Sequence, residues 1–110
     1  MVTTRIAEQN WPRYFDANAP LFRGRPSSIE VIAPDLGAQR VADGVVLLGI
    51  SYDPRERQLD VLLEVLDHRI EKPQELHVAR APDGVVTIET IDGDGRKTIL
   101  RIGTHAVPHR

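Results

Sequence analysis

The residues best suited to chemistry in this sequence are the neighbours Asp67 and His68, with Tyr52 in an earlier apolar run. A carboxylate can orient an imidazole for general-base catalysis or metal binding. However, neighbours on an extended segment point to opposite faces, so Asp67 is poorly placed to hold His68. The spacing therefore favours structural roles, in which Asp67 opens a turn and His68 bonds a nearby carbonyl. The alternative is a small hydrolase or isomerase with a sheet-edge pocket around these three residues.

Metal and cofactor chemistry is not indicated by the remaining polar residues. The histidines are His68, His77, His105 and His109. His105 and His109 would align on a helix, but Pro108 argues against one, and no recognised ligand spacing is present. The run from Asp92 to Gly95 lacks the closing Glu of a calcium loop, whereas Asp-Gly pairs are typical of hairpin turns. We therefore expect no bound metal and no cofactor.

Length and composition narrow the class of protein. A chain of 110 residues with a net charge of −2 has room for one core and gives no reason to propose nucleic acid as a partner. It has no cysteine, which excludes disulfides and thiolate sites and suits a reducing compartment. No apolar run approaches the roughly 18 residues of a membrane span. We expect a cytoplasmic protein that contacts neither a membrane nor nucleic acid.

The elements that must position these residues begin with one helix. After a polar lead-in over 1–9, Asn10 and Pro12 indicate a helix start, and the helical segment covers 10–24. The helical face holds most of the aromatic residues, namely Trp11, Tyr14, Phe15 and Phe22, with Asn18 and Leu21 beside them. Pro20 predicts that the helix kinks or ends around Asn18.

From residue 27 the apolar period changes to two, which predicts an antiparallel sheet over 27–102. Short turns join its strands, so neighbours are antiparallel. Ala42-Asp43-Gly44 indicates a turn or bulge, and 67–73 reads as a polar crossing with room for one helical turn. The fold class is α+β, a single domain over 1–110 with the N-terminal helix on a bent meander of five to six strands. A partly closed small β-barrel is the alternative, and 103–110 is expected to be a loose tail.

Three motifs resemble a family of small bacterial proteins known as a domain of unknown function. They are Trp11-x-x-Tyr14-Phe15-Asp16, Leu48-Gly49-Ile50-x-Tyr52-Asp53-Pro54 and Leu66-Asp67-His68-x-Ile70-x-x-Pro73. The similarity extends in order over most of the chain. It implies a bacterial, cytosolic, single-domain protein, and it implies no activity, substrate or catalytic residue.

The leading functional hypothesis is a non-enzymatic binding or protein-interaction module. The run from Val45 to Ile50 is apolar on both faces, yet one helix covers only one face of a sheet. Symmetric self-association is the commonest way to cover such a surface, so we expect a homodimer, with an unidentified protein as another partner. The candidate interface lies on the open face or the first strand, at Ile29, Val31, Val45 and Leu47.

Overall fold

The computed structural model describes residues 2–104. Its elements are β1 (Val2–Arg5), a 3₁₀ turn (Glu8–Asn10), α1 (Trp11–Phe22), β2 (Pro26–Ala33), β3 (Gly37–Asp53), β4 (Gln58–Leu63), β5 (Asp67–Glu71), β6 (Pro73–Arg80), β7 (Val86–Asp92) and β8 (Lys97–Ile102). His105, His109 and the expected tail from residue 105 onward lie outside the described residues.

All eight strands belong to one antiparallel sheet with the order β1-β6-β7-β8-β2-β3-β4-β5. The sheet is open, because β1 and β5 each pair on one side only. One short helix on a mostly antiparallel sheet supports the α+β class in part, whereas the expected count of five to six strands is wrong. A closed barrel does not form among residues 2–104.

The two strands missing from the sequence analysis are the two edges of the sheet. The predicted lead-in contains β1, in which Thr4 pairs with Val78 of β6. The predicted polar crossing contains β5, in which His68 pairs with Val61 of β4, rather than a helical turn. Edge strands carry charged residues that discourage further pairing, so they lack the apolar alternation by which strands are recognised.

The helix α1 runs through Pro20 to Phe22 rather than ending around Asn18. The proline removes one hydrogen bond of the ladder, but buried Phe22 anchors the last turn, and the Arg23 N–H donates to the Ala19 carbonyl at 3.1 Å. The expected apolar face is partly wrong, because Trp11, Phe15 and Phe22 are buried whereas Leu21 is 65% exposed.

The core lies between α1 and one face of the sheet, here called the inner face. Its central row runs across five strands through Val78, Ile88, Leu100, Ile29 and Ala42. These side chains form one apolar cluster with Trp11, Phe15 and Phe22. The opposite, outer face carries alternating residues such as Glu30, Glu89 and Ile99. One face thus supplies the core and the other contacts solvent, as expected for an antiparallel sheet.

Strand β3 is a single strand of 17 residues that contains bulges. Pairing with β2 shifts from Ser27↔Val45 to Ile29↔Ala42, and then to Glu30↔Arg40, so β3 holds two extra residues there. Gly44 has φ 66°, which glycine adopts without strain. Of the two predicted alternatives at Ala42-Asp43-Gly44, the bulge is correct. Bulges bend and twist a strand, which curves the sheet around its core.

The candidate interface does not sit at an edge of the sheet. Strand β2 lies between β8 and β3. Ile29 and Leu47 are fully buried inside the chain, so the expectation that they contact a second copy is wrong for this pair. Val31 and Val45 are half-buried. Strand β8 is also internal, between β7 and β2.

Candidate functional site

An open cavity of about 730 Å³ occupies the end of the inner face that α1 does not cover. Residues of β2, β3, β5, β6, β7, β8 and the adjoining turns line it, and no residue of α1 does. The curvature of the sheet brings the edge strand β5 and the start of β8 to the same opening. We call this space the open-end cavity.

The cavity wall becomes polar along the inner face. The row next to the central apolar one runs through Leu76, Thr90, Thr98, Val31 and Gln39. Thr98, Val31 and Gln39 line the cavity, and the apolar Ala33 and Ile70 lie beside them. The wall therefore combines aliphatic groups with hydroxyl and amide groups, a composition typical of small-molecule sites.

His68 is the only one of the three candidate catalytic residues that lines the cavity. It pairs with Val61 and alternates with Ile70, which places both residues on the inner side of β5. Burial lowers the pKa of its imidazole below the ordinary value of 6.5, because a desolvated ring disfavours the charged form. His68 is accordingly neutral at pH 7, able to donate one hydrogen bond and accept another.

Tyr52 lies beneath the helix, away from the cavity lining. Its ring meets that of Trp11 edge-to-face with centroids 5.1 Å apart. Its hydroxyl oxygen is buried and has no hydrogen-bond partner within normal distance limits among residues 2–104. Burial, and after it the negative charge of Glu8, raise the pKa of the Tyr52 phenol. This phenol is therefore a core group rather than a proton donor at the opening.

Asp67 lies on the other side of β5 from His68. It is exposed and pairs with Leu62 of β4, whose side chain belongs to the outer face. Asp67, His68 and Tyr52 thus occupy three separate environments, and the structure does not bring them together. The sheet-edge pocket required by the enzyme hypothesis contains His68 alone.

In the acidic run at the β7–β8 turn, the side chain of Asp92 accepts hydrogen bonds from the backbone of the same turn. One carboxylate oxygen of Asp92, Oδ1, accepts the N–H of Asp94 at 2.9 Å and that of Arg96 at 3.0 Å. This confirms the interpretation of the run as a turn. Within residues 2–104 no three His, Asp or Glu side chains converge in a way that could hold a metal ion. His77 instead contacts Glu75, with 3.1 Å between Nε2 and Oε1.

A comparison with known protein families finds a match for this sequence. Residues 2–107 match the family of unknown function DUF5335. The chain belongs to this family. The match confirms the resemblance carried by the Trp11, Tyr52 and His68 motifs, and it assigns no activity to any of them.

Two relatives give the DUF5335 domain further context. An uncharacterized protein of the bacterium Aquifex aeolicus is 33% identical over 103 residues, which cover 93% of each chain. The crystal structure of Bacillus subtilis YojF protein is similar with a TM-score of 0.57 at 10% identity, covering 99% of this chain and 100% of that one. The latter likeness supports the fold and carries no function. Within residues 2–104, no helix has the length and apolar character needed to cross a membrane.

Several cavity residues of the DUF5335 domain were not predicted from the sequence. Arg57, Lys72 and Arg96 all line the opening, but they come from three separate turns. Arg57 follows β3, Lys72 follows β5 and Arg96 precedes β8. No local spacing links residues from separate turns, and only the strand order could have placed them together. Without β5 in the predicted sheet, that strand order was out of reach.

Proposed function

We propose that this domain is a non-enzymatic module that binds a small molecule in the open-end cavity. The observation that carries the proposal is the cavity itself, whose volume of about 730 Å³ lies within the range of about 300–1,000 Å³ typical of ligand sites. Val31 and Ile70 give it an aliphatic wall, and Thr98 and His68 add polar groups. A few polar groups on an apolar wall fix the orientation of a ligand.

The absence of an assembled acid–base pair supports binding over catalysis. General acid–base chemistry needs two groups within hydrogen-bond reach of one substrate. His68 lines the cavity, whereas the carboxylate that could orient it, Asp67, lies on the other side of the strand. Of the carboxylates that line the cavity, Asp92 is held by two backbone N–H groups, and neither Glu71 nor Asp94 contributes to the lowered pKa of His68, which burial causes. Substrate turnover by Asp67, His68 and Tyr52 is the alternative that this geometry supports less.

Two adjacent residues of β2 provide a matched test of the site. Val31 faces the cavity and Ile32 faces the outer surface, and both are half-buried. Val31→Trp fills the cavity with an indole, whereas Ile32→Trp adds the same group outside it. Fragment binding would be followed by saturation-transfer NMR, with amide shifts of Ile70 and Thr98 locating the site. We expect fragments to bind to the unmodified chain and to Ile32→Trp, and not to Val31→Trp. Two outcomes would contradict the proposal: fragments that bind equally well to both variants, and the absence of fragment binding to the unmodified chain.

We also propose that the domain forms a homodimer through the open edge at β5. The outer surface beside this edge exposes Leu48, Leu62 and Val65, which are 45%, 40% and 71% exposed. When two β5 strands pair antiparallel around His68, Asp67 of one copy faces Arg69 of the other, so the edge is complementary to itself. Arg69 already contacts Asp60 of its own chain at 3.2 Å, which holds it on this face.

Sedimentation equilibrium over a wide dilution range tests the dimer. We expect Arg69→Glu to shift the mass toward the monomer, because Asp67 of each copy would then face an acidic side chain at position 69 of the other. Arg101→Glu on internal strand β8 is the matched control and should leave the mass unchanged. A monomeric mass for the unmodified chain at high concentration would contradict self-association.

A further inference from the structure

Two cationic residues at the cavity opening have an unusual backbone conformation. Among non-glycine residues in the described part of the chain, positive φ values occur at Arg57 (53°) and Lys72 (49°). The Lys72 N–H donates to the Arg57 carbonyl at 2.7 Å, so the two turns meet side by side. Both residues line the open-end cavity. Glycine or asparagine is the usual choice for this left-handed region, because other side chains are strained there.

The conformation of Lys72 is unusual for a second reason. It immediately precedes Pro73, and a residue before proline ordinarily takes extended backbone with negative φ. Strained residues of this kind persist where the surrounding structure fixes them, and they concentrate at ligand sites. The turn would form more easily with glycine at either position. A charged side chain at both strained positions of one opening therefore indicates a use for the charge.

The charges at the opening are incompletely neutralised. Within residues 2–104, Lys72 and Arg96 have no carboxylate within 4.0 Å. Arg57 contacts Glu8 at 3.6 Å, and both of these side chains are about half exposed. Of the acidic residues that line the same opening, Asp92 is engaged by backbone N–H groups, which leaves Glu71 and Asp94. Arg69 lines the opening as well, so four cationic residues stand against three carboxylates there among residues 2–104.

We propose that the open-end cavity binds an amphipathic anion, a compact apolar body with one carboxylate, sulfonate or phosphate group. This rests on the proposed binding function and names its ligand class. The apolar body packs on Val31, Ala33 and Ile70, and the anionic group reaches Lys72 and Arg96 at the opening. Cation–anion hydrogen bonds are stronger than neutral ones, so the charge sets the preference among ligands of equal apolar area.

A matched pair of dyes tests this ligand class. 1-Anilinonaphthalene-8-sulfonate has an apolar body and one sulfonate, and N-phenyl-1-naphthylamine has the same body without the charge. We expect fluorescence titrations to show binding of the sulfonate about tenfold tighter than of the neutral dye, a preference that declines as salt is added. Near-UV circular dichroism on the same samples checks that the native packing is kept, since the sulfonate dye also binds partly folded chains.

Lys72→Gly separates the role of the charge from a role in the fold. Glycine adopts positive φ freely, so this variant should melt at the same or a higher temperature while its affinity for the sulfonate dye falls about tenfold. Arg96→Gln should weaken the sulfonate dye by a similar factor, with the neutral dye unaffected. Arg101→Gln, an exposed arginine outside the cavity lining, is the matched control and should change neither.

The outcomes distinguish the ligand class from the binding function itself. If both dyes bind with equal affinity and Val31→Trp abolishes both, the cavity binds ligands but does not select anions, and this inference is overturned alone. If Val31→Trp leaves dye binding unchanged, or neither dye binds, the proposed function fails with it. A lower melting temperature in Lys72→Gly with unchanged dye affinity would show that Lys72 stabilises the turn and does not bind the ligand.

Discussion

The two ends of the inner face differ in what covers them. At one end α1 lays Trp11, Phe15 and Phe22 on the sheet, and these three side chains are at most 1% exposed. At the other end the same strands continue without a helix above them, and the space stays open as a cavity. A single face of one sheet thus serves as a packed core over part of its length and as a candidate site over the rest.

The side chains along each strand differ in polarity between the two ends. On β8, Leu100 and Ile102 lie toward the helix and Thr98 toward the cavity. On β7, Ile88 belongs to the apolar row and Thr90 to the next one. Thr98 lines the cavity, where its hydroxyl can meet a ligand, whereas Thr90 is fully buried.

The largest effect is expected from truncating the covered end. Trp11 is 1% exposed, packs edge-to-face on Tyr52 and donates its indole N–H to the Ile6 carbonyl at 2.7 Å. Trp11→Ala should destabilise the domain by about 3–5 kcal/mol, enough to unfold a marginal chain of this size. Urea denaturation followed by circular dichroism measures the change. An unchanged midpoint would mean that the helix does not carry the core.

The covered end was largely predictable from the sequence and the open end was not. The aromatic cluster at Trp11, Phe15 and Phe22 follows from helical spacing alone, and all three are buried. The internal strands follow from alternating apolar residues. The position of Leu21 and the passage of the helix through Pro20 were missed, since tertiary anchoring by Phe22 overrides the local preference.

The cavity depends on contacts between segments that are distant in the sequence. Its wall joins β5 to the β7–β8 turn. Ile70 of β5 and Arg96 of that turn are 26 positions apart in the sequence. Recognising it requires the strand order, and that order requires both polar edge strands. The opposite orientations of Asp67 and His68 did follow from the sequence, because the period of a strand fixes them.

The next largest effect should come from Thr90, in the row where the two ends meet. This threonine is 1% exposed, and its Oγ1 has no hydrogen-bond partner within residues 2–104. A buried hydroxyl without a partner costs about 1–3 kcal/mol. Thr90→Val keeps the shape and removes the hydroxyl, so it should raise the free energy of unfolding by about 1–2 kcal/mol. Thr87→Val on the outer side of β7 is the control with no expected change. A destabilised Thr90→Val would show that the hydroxyl is satisfied, and that polar character extends deeper than the cavity wall.

A smaller effect is expected from truncating the wall of the open end. Val31 is half-buried and borders open space on one side. Val31→Ala should cost about 1 kcal/mol, because two methyl groups that are only partly buried are lost and no new enclosed void forms. The same urea experiment measures it beside Trp11→Ala. A cost comparable to that of Trp11→Ala would remove the contrast between the two ends and indicate that the cavity is part of the packed core.

The smallest effect concerns pH, through the imidazole of His68 in the cavity wall. Burial holds the folded-state pKa of His68 below the unfolded value of 6.5. Above pH 6.5 the ring is neutral in both states and contributes no pH dependence. Below pH 6.5 the unfolded chain takes up the proton first, so stability is lost as the pH falls toward the folded-state pKa. Charged residues share this opening, namely Arg57, Arg69, Glu71, Lys72, Asp92, Asp94 and Arg96, but burial is the cause of the lowered pKa of His68. We expect urea midpoints between pH 7.5 and 5 to fall less steeply in His68→Gln than in the unmodified chain. Equal slopes in the two proteins would place His68 in solvent rather than in the cavity wall.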